Sequence, residues 1–343
     1  MRVGCKLLIK ESLSTVTLNV TSKCNYNCSY CASCNKEDLL ELKDIKMIID
    51  NTVKLKTQYL ILSGGEPTLR NDYQDIIDYA NKNGLITVLF SNGSQIDNVA
   101  ADYIKENINI VRFTLDSTKE EKYDKIKGRG TFANLIKTID MFNDKKIPVN
   151  LNIPVNYDNI EEIEDIILFS IDKGIQTLRF APIIPSADKH IYKTLLTSIF
   201  ENIIKYEPFF AFPDFKPVGS RDTFINAVSN IDCPGGIISI NINSNGEVTV
   251  CSFFDEVTEG NLKEEDLFDI WFNNYEKNLN QKCKVIDVDI GELLSEVLTD
   301  KMWGYSAVRK AISFWYTEIA GKEKMCYRGF PFWQLYFSRK PGE

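Results

Sequence analysis

From Thr15 to about Tyr206 the sequence alternates short β-rich runs with helix-period segments, and this alternation constrains the fold more than any other feature. The runs are Thr15–Thr21, Tyr59–Ser63, Thr87–Ser91, Ile110–Leu115, Val149–Val155 and Thr177–Ala181. In the first, Val16, Leu18 and Val20 share one face and Thr17, Asn19 and Thr21 the other, the period of a strand with one apolar side. Asn71–Asn83 shows the helical period instead: Tyr73, Ile76, Ile77 and Ala80 fall at i, i+3, i+4 and i+7, and Gly84 follows as a stop. Six such units in series predict an α/β fold with a parallel sheet. Repeated right-handed crossovers curl that sheet into a full or partial barrel, with its chemistry in the loops after the strands.

The loop after the first strand carries Cys24, Cys28 and Cys31 in a C-x3-C-x2-C pattern, with Cys34 just beyond. Three thiolates from one short loop can converge on a single inorganic centre. A cubane iron–sulfur cluster is compatible with this spacing and would keep one iron open. A zinc site completed by Cys34, or a C-x-x-C redox pair, fits the same residues. The remaining cysteines are Cys5, alone near the start, and Cys233, Cys251, Cys283 and Cys326 in the C-terminal third. A single His190 in the chain disfavours histidine-rich zinc or non-haem iron sites. The formal net charge of −8 leaves no basic surplus for a nucleic-acid backbone. No run of 18 apolar residues and no signal-peptide pattern is present, so a cytoplasmic, membrane-free protein is expected.

About 30 residues past the cysteines, at the end of the next strand, stands Ile61-Leu62-Ser63-Gly64-Gly65-Glu66-Pro67. Two glycines allow close backbone approach to a ligand, and Glu66 can take part in binding an ammonium group. Together with C-x3-C-x2-C this segment resembles the radical S-adenosylmethionine (radical SAM) superfamily over most of the first 200 residues. The resemblance implies a partial (β/α)6 TIM-like barrel and a 4Fe-4S cluster on Cys24, Cys28 and Cys31. The cluster's open iron would be chelated by S-adenosylmethionine. Tyr30, just before the third cysteine, then matches the family's adenine-packing aromatic, and Gly64, Gly65 and Glu66 the motif for the methionine end. Ser91-Asn92-Gly93 resembles the third-strand end, usually Thr-Asn-Gly, which places Asn92 at the cofactor. Phe113-Thr114-Leu115-Asp116-Ser117 resembles the fourth, with Thr114 toward the ribose. Tyr123 to Phe132 is similar to a stretch in peptide-modifying members, where Lys127 or Arg129 would pair with the methionine carboxylate.

Beyond Lys205 the pattern changes. Glu207–Ser220 is rich in Pro and Phe and reads as a linker or a loop packed over the barrel. Ile237–Ile242 and Val248–Cys251 flank an Asn-Gly turn and predict a hairpin. Helices are expected over Leu262–Leu279 and Leu293–Ile319. The spacing from Cys233 to Cys251, followed by Gly260-Asn261-Leu262 and Ile270-Trp271, looks like the opening of a SPASM/Twitch extension. That resemblance implies a small α+β module with one auxiliary 4Fe-4S cluster on Cys233 and Cys251, with Cys283 and Cys326 as further candidate ligands. The expected division is a core barrel over 1–206, a linking segment over 207–232 and the auxiliary module over 233–343.

The resemblance implies a radical SAM oxidoreductase that cleaves S-adenosylmethionine to a 5′-deoxyadenosyl radical. It would take hydrogen from a peptide or protein, giving oxidation, cross-linking or epimerisation. A small-molecule dehydrogenase acting on a sugar or aminoglycoside alcohol is the second reading, and a non-catalytic iron–sulfur electron carrier a remote third. The 14 residues ahead of Thr15 are too few for a leader-peptide recognition domain, a task a partner protein can take over. An electron donor such as flavodoxin or ferredoxin is expected. No catalytic base, no oligomeric state and no role for Cys5 or Cys34 follows from the sequence.

Overall fold

The computed structural model describes residues 13–31, 37–182, 189–206, 210–211, 235–237, 239–251, 254–279, 295–297, 299 and 335–339. The alternation of strands and helices is the one the sequence pattern predicts. In chain order the elements are β1 (Thr15–Thr21), α1 (Leu42–Lys54), β2 (Tyr59–Gly64), α2 (Tyr73–Lys82), β3 (Ile86–Ser91), α3 (Asn98–Asn107) and β4 (Ile110–Thr114). There follow α4 (Glu120–Lys127), α5 (Thr131–Asp144), β5 (Asn150–Val155), α6 (Ile163–Asp172), β6 (Thr177–Pro182) and α7 (Lys189–Lys205). The fold is a mixed α/β of the partial (β/α)6 barrel class, carrying antiparallel strands from the C-terminal part of the chain.

Hydrophobic periodicity explains the elements one by one. In β1, Val16, Leu18 and Val20 are buried while Thr17 and Asn19 are half-exposed. Helix α1 buries Ile45, Ile48, Ile49 and Thr52, a single stripe at i, i+3, i+4 and i+7. Each such isoleucine contributes roughly 1.5–3 kcal/mol relative to an exposed position. The start of α1 is fixed by a reciprocal box, in which the Glu41 side chain accepts from the Asp44 amide and the Asp44 side chain from the Glu41 amide.

The described residues divide into two compact units. The first is drawn from Met1–Phe113, Glu120–Pro148 and Pro234–Asn280. Its sheet continues past β1 into three later strands: β7 is the short Phe210–Ala211 of the other unit, and here stand β8 (Ser239–Ile242), β9 (Glu247–Cys251) and β10 (Phe254–Asn261). The order is β10-β9-β8-β1-β2-β3-β4. β1 to β4 run parallel, and β8 joins β1 in parallel, Thr15 facing Ser239 and Leu18 facing Ile242. The hairpin β8–β9 is antiparallel, as the Asn-Gly turn predicts. The parallel seam with β1 and the third strand β10 are additions that the sequence pattern did not predict. Helix α8 (Leu267–Leu279) starts five residues later than predicted, because residues 262–266 form a turn and Asp266 accepts from the Phe268 amide. Trp271 is buried and its indole N–H donates to the Ile237 carbonyl at 2.9 Å.

The second unit comprises Thr114–Lys119, Val149–Cys233 and Gln281–Glu343. Here β5 and β6 pair in parallel, and β11 (Leu335–Arg339) lies antiparallel between β6 and β7. Leu115 donates to the Asn152 carbonyl, and Asn159 Nδ2 donates to the carbonyls of Asp116 and Pro154. The linker over 207–220 and the helix over 293–319 lie largely outside the described residues.

Asp124, in α4, caps the next helix: its carboxylate accepts from the amides of Gly130 at 2.5 Å and Phe132 at 2.9 Å and from the Thr131 hydroxyl. Partial burial works to raise this carboxyl, but the Phe132 and Gly130 donors outweigh it and hold it below its ordinary value. Asp124→Ala is expected to cost about 1 kcal/mol, the worth of a helix cap. A depressed folded value means this stability is full above the unfolded carboxylate pKa of about 3.9 and is lost as pH falls through the folded one. Urea midpoints of parent and variant should therefore differ at neutral pH and converge in acid.

Candidate functional site

The chain leaves β1 through a bulge that shifts the register between Asn19 and Thr21. The Val20 carbonyl there accepts from Arg70 Nη1 at 2.7 Å, and the same nitrogen donates to the Leu40 carbonyl at 3.1 Å. Asp72 holds this guanidinium through two bonds of 2.7 and 2.8 Å. Next along, Asp38 accepts from the Thr21 hydroxyl at 2.6 Å and from the Ser22 amide at 2.5 Å. Partial burial opposes ionisation of Asp38, yet these bonds from Thr21 and Ser22 hold its carboxyl below the ordinary value. The loop that follows therefore leaves the sheet on a fixed path.

Cys24, Cys28 and Cys31 lie on that loop, all half-buried and none in a disulfide. The Cys31 amide donates to the Cys28 carbonyl at 3.1 Å, and the Ser29 amide to the Ile126 carbonyl of α4 at 3.0 Å. Across from the loop runs the turn after β2. Gly65 donates to the Thr21 carbonyl at 2.7 Å and Glu66 to the Lys23 carbonyl at 2.8 Å. The reason for two glycines is visible here. A Cβ on Gly64 would stand 2.2 Å from the Thr21 oxygen, and one on Gly65 would stand 2.1 Å from the Lys23 oxygen. The close approach that sequence reading assigned to a ligand is made, in the polypeptide itself, to the backbone of the cysteine loop.

Glu66 has no exposed surface. Its Oε1 accepts from the Thr68 amide, the Thr68 hydroxyl at 2.6 Å and the Ser91 hydroxyl at 2.8 Å, and its Oε2 from the Asn92 amide at 2.6 Å. Burial pushes this carboxyl up, against the pull of the Asn92 and Thr68 donors. The carboxylate thus ties the end of β2 to the end of β3. Asn92 extends the tie to the cysteine loop, since its Nδ2 lies 3.8 Å from Cys24 Sγ and donates to Asn25 Oδ1 at 2.9 Å. Asn25 in turn donates to the Ser94 hydroxyl at 2.7 Å.

Cys24 also receives the Tyr26 amide at 3.4 Å. Burial raises its thiol, the Tyr26 amide works against this, Glu66 and Cys31 add to the rise, and Asn92 lowers it. A thiol so placed gives up its proton when a metal supplies the positive charge. N–H donors to sulfur are also what stabilises an electron-rich iron–sulfur centre. Among the described residues no group of three His, Cys, Asp or Glu side chains is disposed to hold a metal ion. A cubane makes a different demand, because it spreads three thiolates over separate irons. Three thiols outside any disulfide on one pinned loop, one of them with two N–H donors at its sulfur, fit that group.

Tyr30 and Lys127 meet, Lys127 Nζ donating to the Tyr30 hydroxyl at 3.0 Å. Lys127 is 6% exposed and also lies over the Tyr123 ring, whereas Arg129 is exposed. Thr114 closes β4 and is half-buried. Cys251 ends β9 and is half-buried. Cys5, Cys34, Cys233, Cys283 and Cys326 lie outside the described residues. Sequence reading missed Asn25, Asp38 and Arg70 of this constellation, and named Ser91 only as part of the third-strand motif. Their residue types are common in loops, and only the three-dimensional contacts single them out.

The radical SAM superfamily model matches residues 18–170, and the model of an iron–sulfur cluster-binding domain, SPASM, matches residues 233–288. The Fe-coproporphyrin III synthase of Methanosarcina barkeri is 30% identical over 160 residues, 45% of this chain and 40% of the synthase. The chain thus spans well under two thirds of that relative. The mycofactocin maturase MftC of Mycolicibacterium smegmatis is 26% identical over 75% of this chain and 69% of its own length. Among solved structures, Streptococcus suis SuiB bound to S-adenosylmethionine superimposes with a TM-score of 0.63 at 16% identity, covering 95% of this chain and 78% of SuiB, a likeness of fold. No helix among the described residues is long and apolar enough to cross a membrane. The cofactors that go with these two domains are a 4Fe-4S cluster, S-adenosylmethionine and an auxiliary iron–sulfur centre. The pinned three-cysteine loop, its Gly64–Glu66 counterpart and the two family matches give the chain a radical SAM domain over residues 18–170 and a SPASM iron–sulfur domain over residues 233–288.

Proposed function

We propose that this protein is a radical SAM oxidoreductase acting on a peptide or protein, whose outcome is an oxidation, a cross-link or an epimerisation. The observation that carries the radical chemistry is the docking of the cysteine loop onto Gly65 and Glu66, with Asn92 reaching Cys24. Cys24, Cys28 and Cys31 would hold the 4Fe-4S cluster, while Gly64, Gly65, Glu66, Asn92, Tyr30, Thr114 and Lys127 would bind S-adenosylmethionine. Cys233 and Cys251, with Cys283 and Cys326, would hold the auxiliary centre. When bound and reduced by one electron, the cluster and S-adenosylmethionine supply a 5′-deoxyadenosyl radical.

The chain's own residues bind and orient. Asn92 Nδ2 and the Tyr26 amide direct two donors at the Cys24 sulfur, and Lys127 holds the Tyr30 ring against α4. A peptide substrate is supported by the maturase among the relatives. SuiB was also solved bound to the precursor peptide SuiA, and anSMEcpe with the Kp18Cys peptide. The synthase relative supports the second reading, a small-molecule substrate. We place the core in 1–206 and the auxiliary module in 233–343, in a cytoplasmic protein served by a flavodoxin- or ferredoxin-like donor.

The test is anaerobic reconstitution followed by S-adenosylmethionine and a strong reductant. The expected iron content is about eight per chain, by the four-iron cubane count. Cys24→Ala, Cys28→Ala and Cys31→Ala should each remove about four of these irons and all 5′-deoxyadenosine. Zinc in the loop, or no nucleoside from the parent protein, sinks the reading. Mass changes in candidate peptides against small alcohols then separate the two substrate classes.

A further inference from the structure

The hairpin turn of the SPASM region, Asn243 to Gly246, makes contacts that no function assigned so far uses. The Ser244 carbonyl accepts from the amides of Leu39 at 2.9 Å and Leu40 at 3.1 Å, and the Ser244 hydroxyl donates to the Glu37 carbonyl at 3.1 Å. Residues 37–40 are the exit of the cysteine loop, and Asp38 among them grips Thr21 and Ser22 at its entrance. Leu40 is held from both sides, its amide by Ser244 and its carbonyl by Arg70.

The turn is itself locked to β1 by a buried amide network. Asn243 Oδ1 accepts from Asn19 Nδ2 at 3.0 Å and from Asn241 Nδ2 at 3.1 Å. Asn19 also donates to Asn241 Oδ1 at 3.3 Å, and Asn241 to the Thr249 hydroxyl at 3.1 Å. Asn241, Asn243, Ser244 and Thr249 are all at most 3% exposed. Buried amides bonded to one another in this way admit few alternative arrangements, even with Asn243 Nδ2 left without an acceptor among the described residues, so Ser244 presents its carbonyl from a fixed point.

We propose that the turn at Ser244 is a positioning element for the N-terminal cluster: it fixes the exit of the loop bearing Cys24, Cys28 and Cys31, and the C-terminal module thereby sets the geometry in which S-adenosylmethionine meets the cluster. This rests on the reading that those cysteines hold the open-iron cluster.

The test lengthens the turn by two glycines after Ser244 in the full, reconstituted chain, which displaces the carbonyl and leaves the pairing of β8 with β1 in place. Two quantities are read. One is hydrogen exchange at Leu39 and Leu40; the other is the dissociation constant for S-adenosylmethionine, from its effect on the EPR spectrum of the reduced open-iron cluster. Both amides should exchange about tenfold faster, since each loses the Ser244 carbonyl as its acceptor. The dissociation constant should rise about tenfold, whereas Thr258→Ala, on the exposed surface of β10, should move neither. Should the lengthened chain not fold, Ser244→Ala removes the hydroxyl's bonds to the Glu37 carbonyl and to Asp38 and should raise both values about threefold.

Unchanged exchange at Leu39 and Leu40 overturns the proposal, because the turn then holds nothing. Faster exchange with an unchanged dissociation constant overturns it too, because the hold does not reach the cluster. If the parent protein shows no response to S-adenosylmethionine, it is the underlying reading that fails, and the exchange arm still reports on the turn.

Discussion

Gly65→Ala should yield a folded chain that no longer retains its N-terminal cluster, losing about four irons and all production of 5′-deoxyadenosine. The added methyl would lie 2.1 Å from the Lys23 oxygen, 2.5 Å from the Lys23 carbonyl carbon and 2.7 Å from the Ser22 oxygen. All three atoms are backbone, so no side chain can swing away, and the strand end or the loop must move by an ångström or more. The loop is the weaker party. β2 is held in register by β1 on one side and β3 on the other, whereas Ser22 and Lys23 are anchored by Asp38, Thr21 and the turn itself. A displacement begins at Lys23, one residue before the first cysteine. Gly84→Ala is the informative control, for Gly84 has a positive φ, of 78°, which Gly65 does not, but no atom lies within 4 Å of its Cβ position. It should cost about 1–2 kcal/mol and leave the iron content intact. Iron assay and the visible spectrum of both reconstituted variants check this, and a Gly65→Ala protein with a full iron complement refutes it.

The barrel strands were legible because their signal is local. Val16, Leu18 and Val20 announce β1 without reference to any other part of the chain, and Ile45, Ile48, Ile49 and Thr52 likewise mark the buried stripe of α1. The hairpin was legible from Asn245-Gly246, whose φ of 89° at Gly246 is the one the turn demands. The parallel seam of β8 with β1 was not, because it joins Thr15 to Ser239 and no local pattern encodes a partner so distant. The site divides in the same way. Cys24, Cys28 and Cys31 could be read from spacing, and Gly64 and Gly65 from their lack of side chains. What those glycines approach could not be read, and neither could the use of Ser244 by Leu39 and Leu40, since a backbone carbonyl has no signature in sequence.

Glu66→Gln separates two roles that the Gly-Gly-Glu segment can have. If the carboxylate served only to meet the ammonium of S-adenosylmethionine, the neutral isostere would weaken cofactor binding and leave the cofactor-free protein as stable as before. The structure gives a different expectation. Four protein donors already converge on Glu66, three at Oε1 and the Asn92 amide at Oε2. An amide side chain must turn its NH2 toward one of those sets. The Thr68 and Ser91 hydroxyls can rotate to accept it, but the Thr68 and Asn92 amides cannot, so at least one buried N–H loses its acceptor whichever way the Gln lies. The cost of such a loss is about 1–3 kcal/mol. The apo protein carrying Glu66→Gln should therefore unfold at lower urea concentration, and Asn92 should loosen from Cys24, lowering the stability of the reconstituted cluster as well. Ser91→Ala removes one donor and leaves the others paired, so it should lower the urea midpoint by a smaller amount. Equal urea midpoints for the apo forms of parent and Glu66→Gln would show that the carboxylate does not tie the end of β2 to the end of β3, and would return it to the ligand alone.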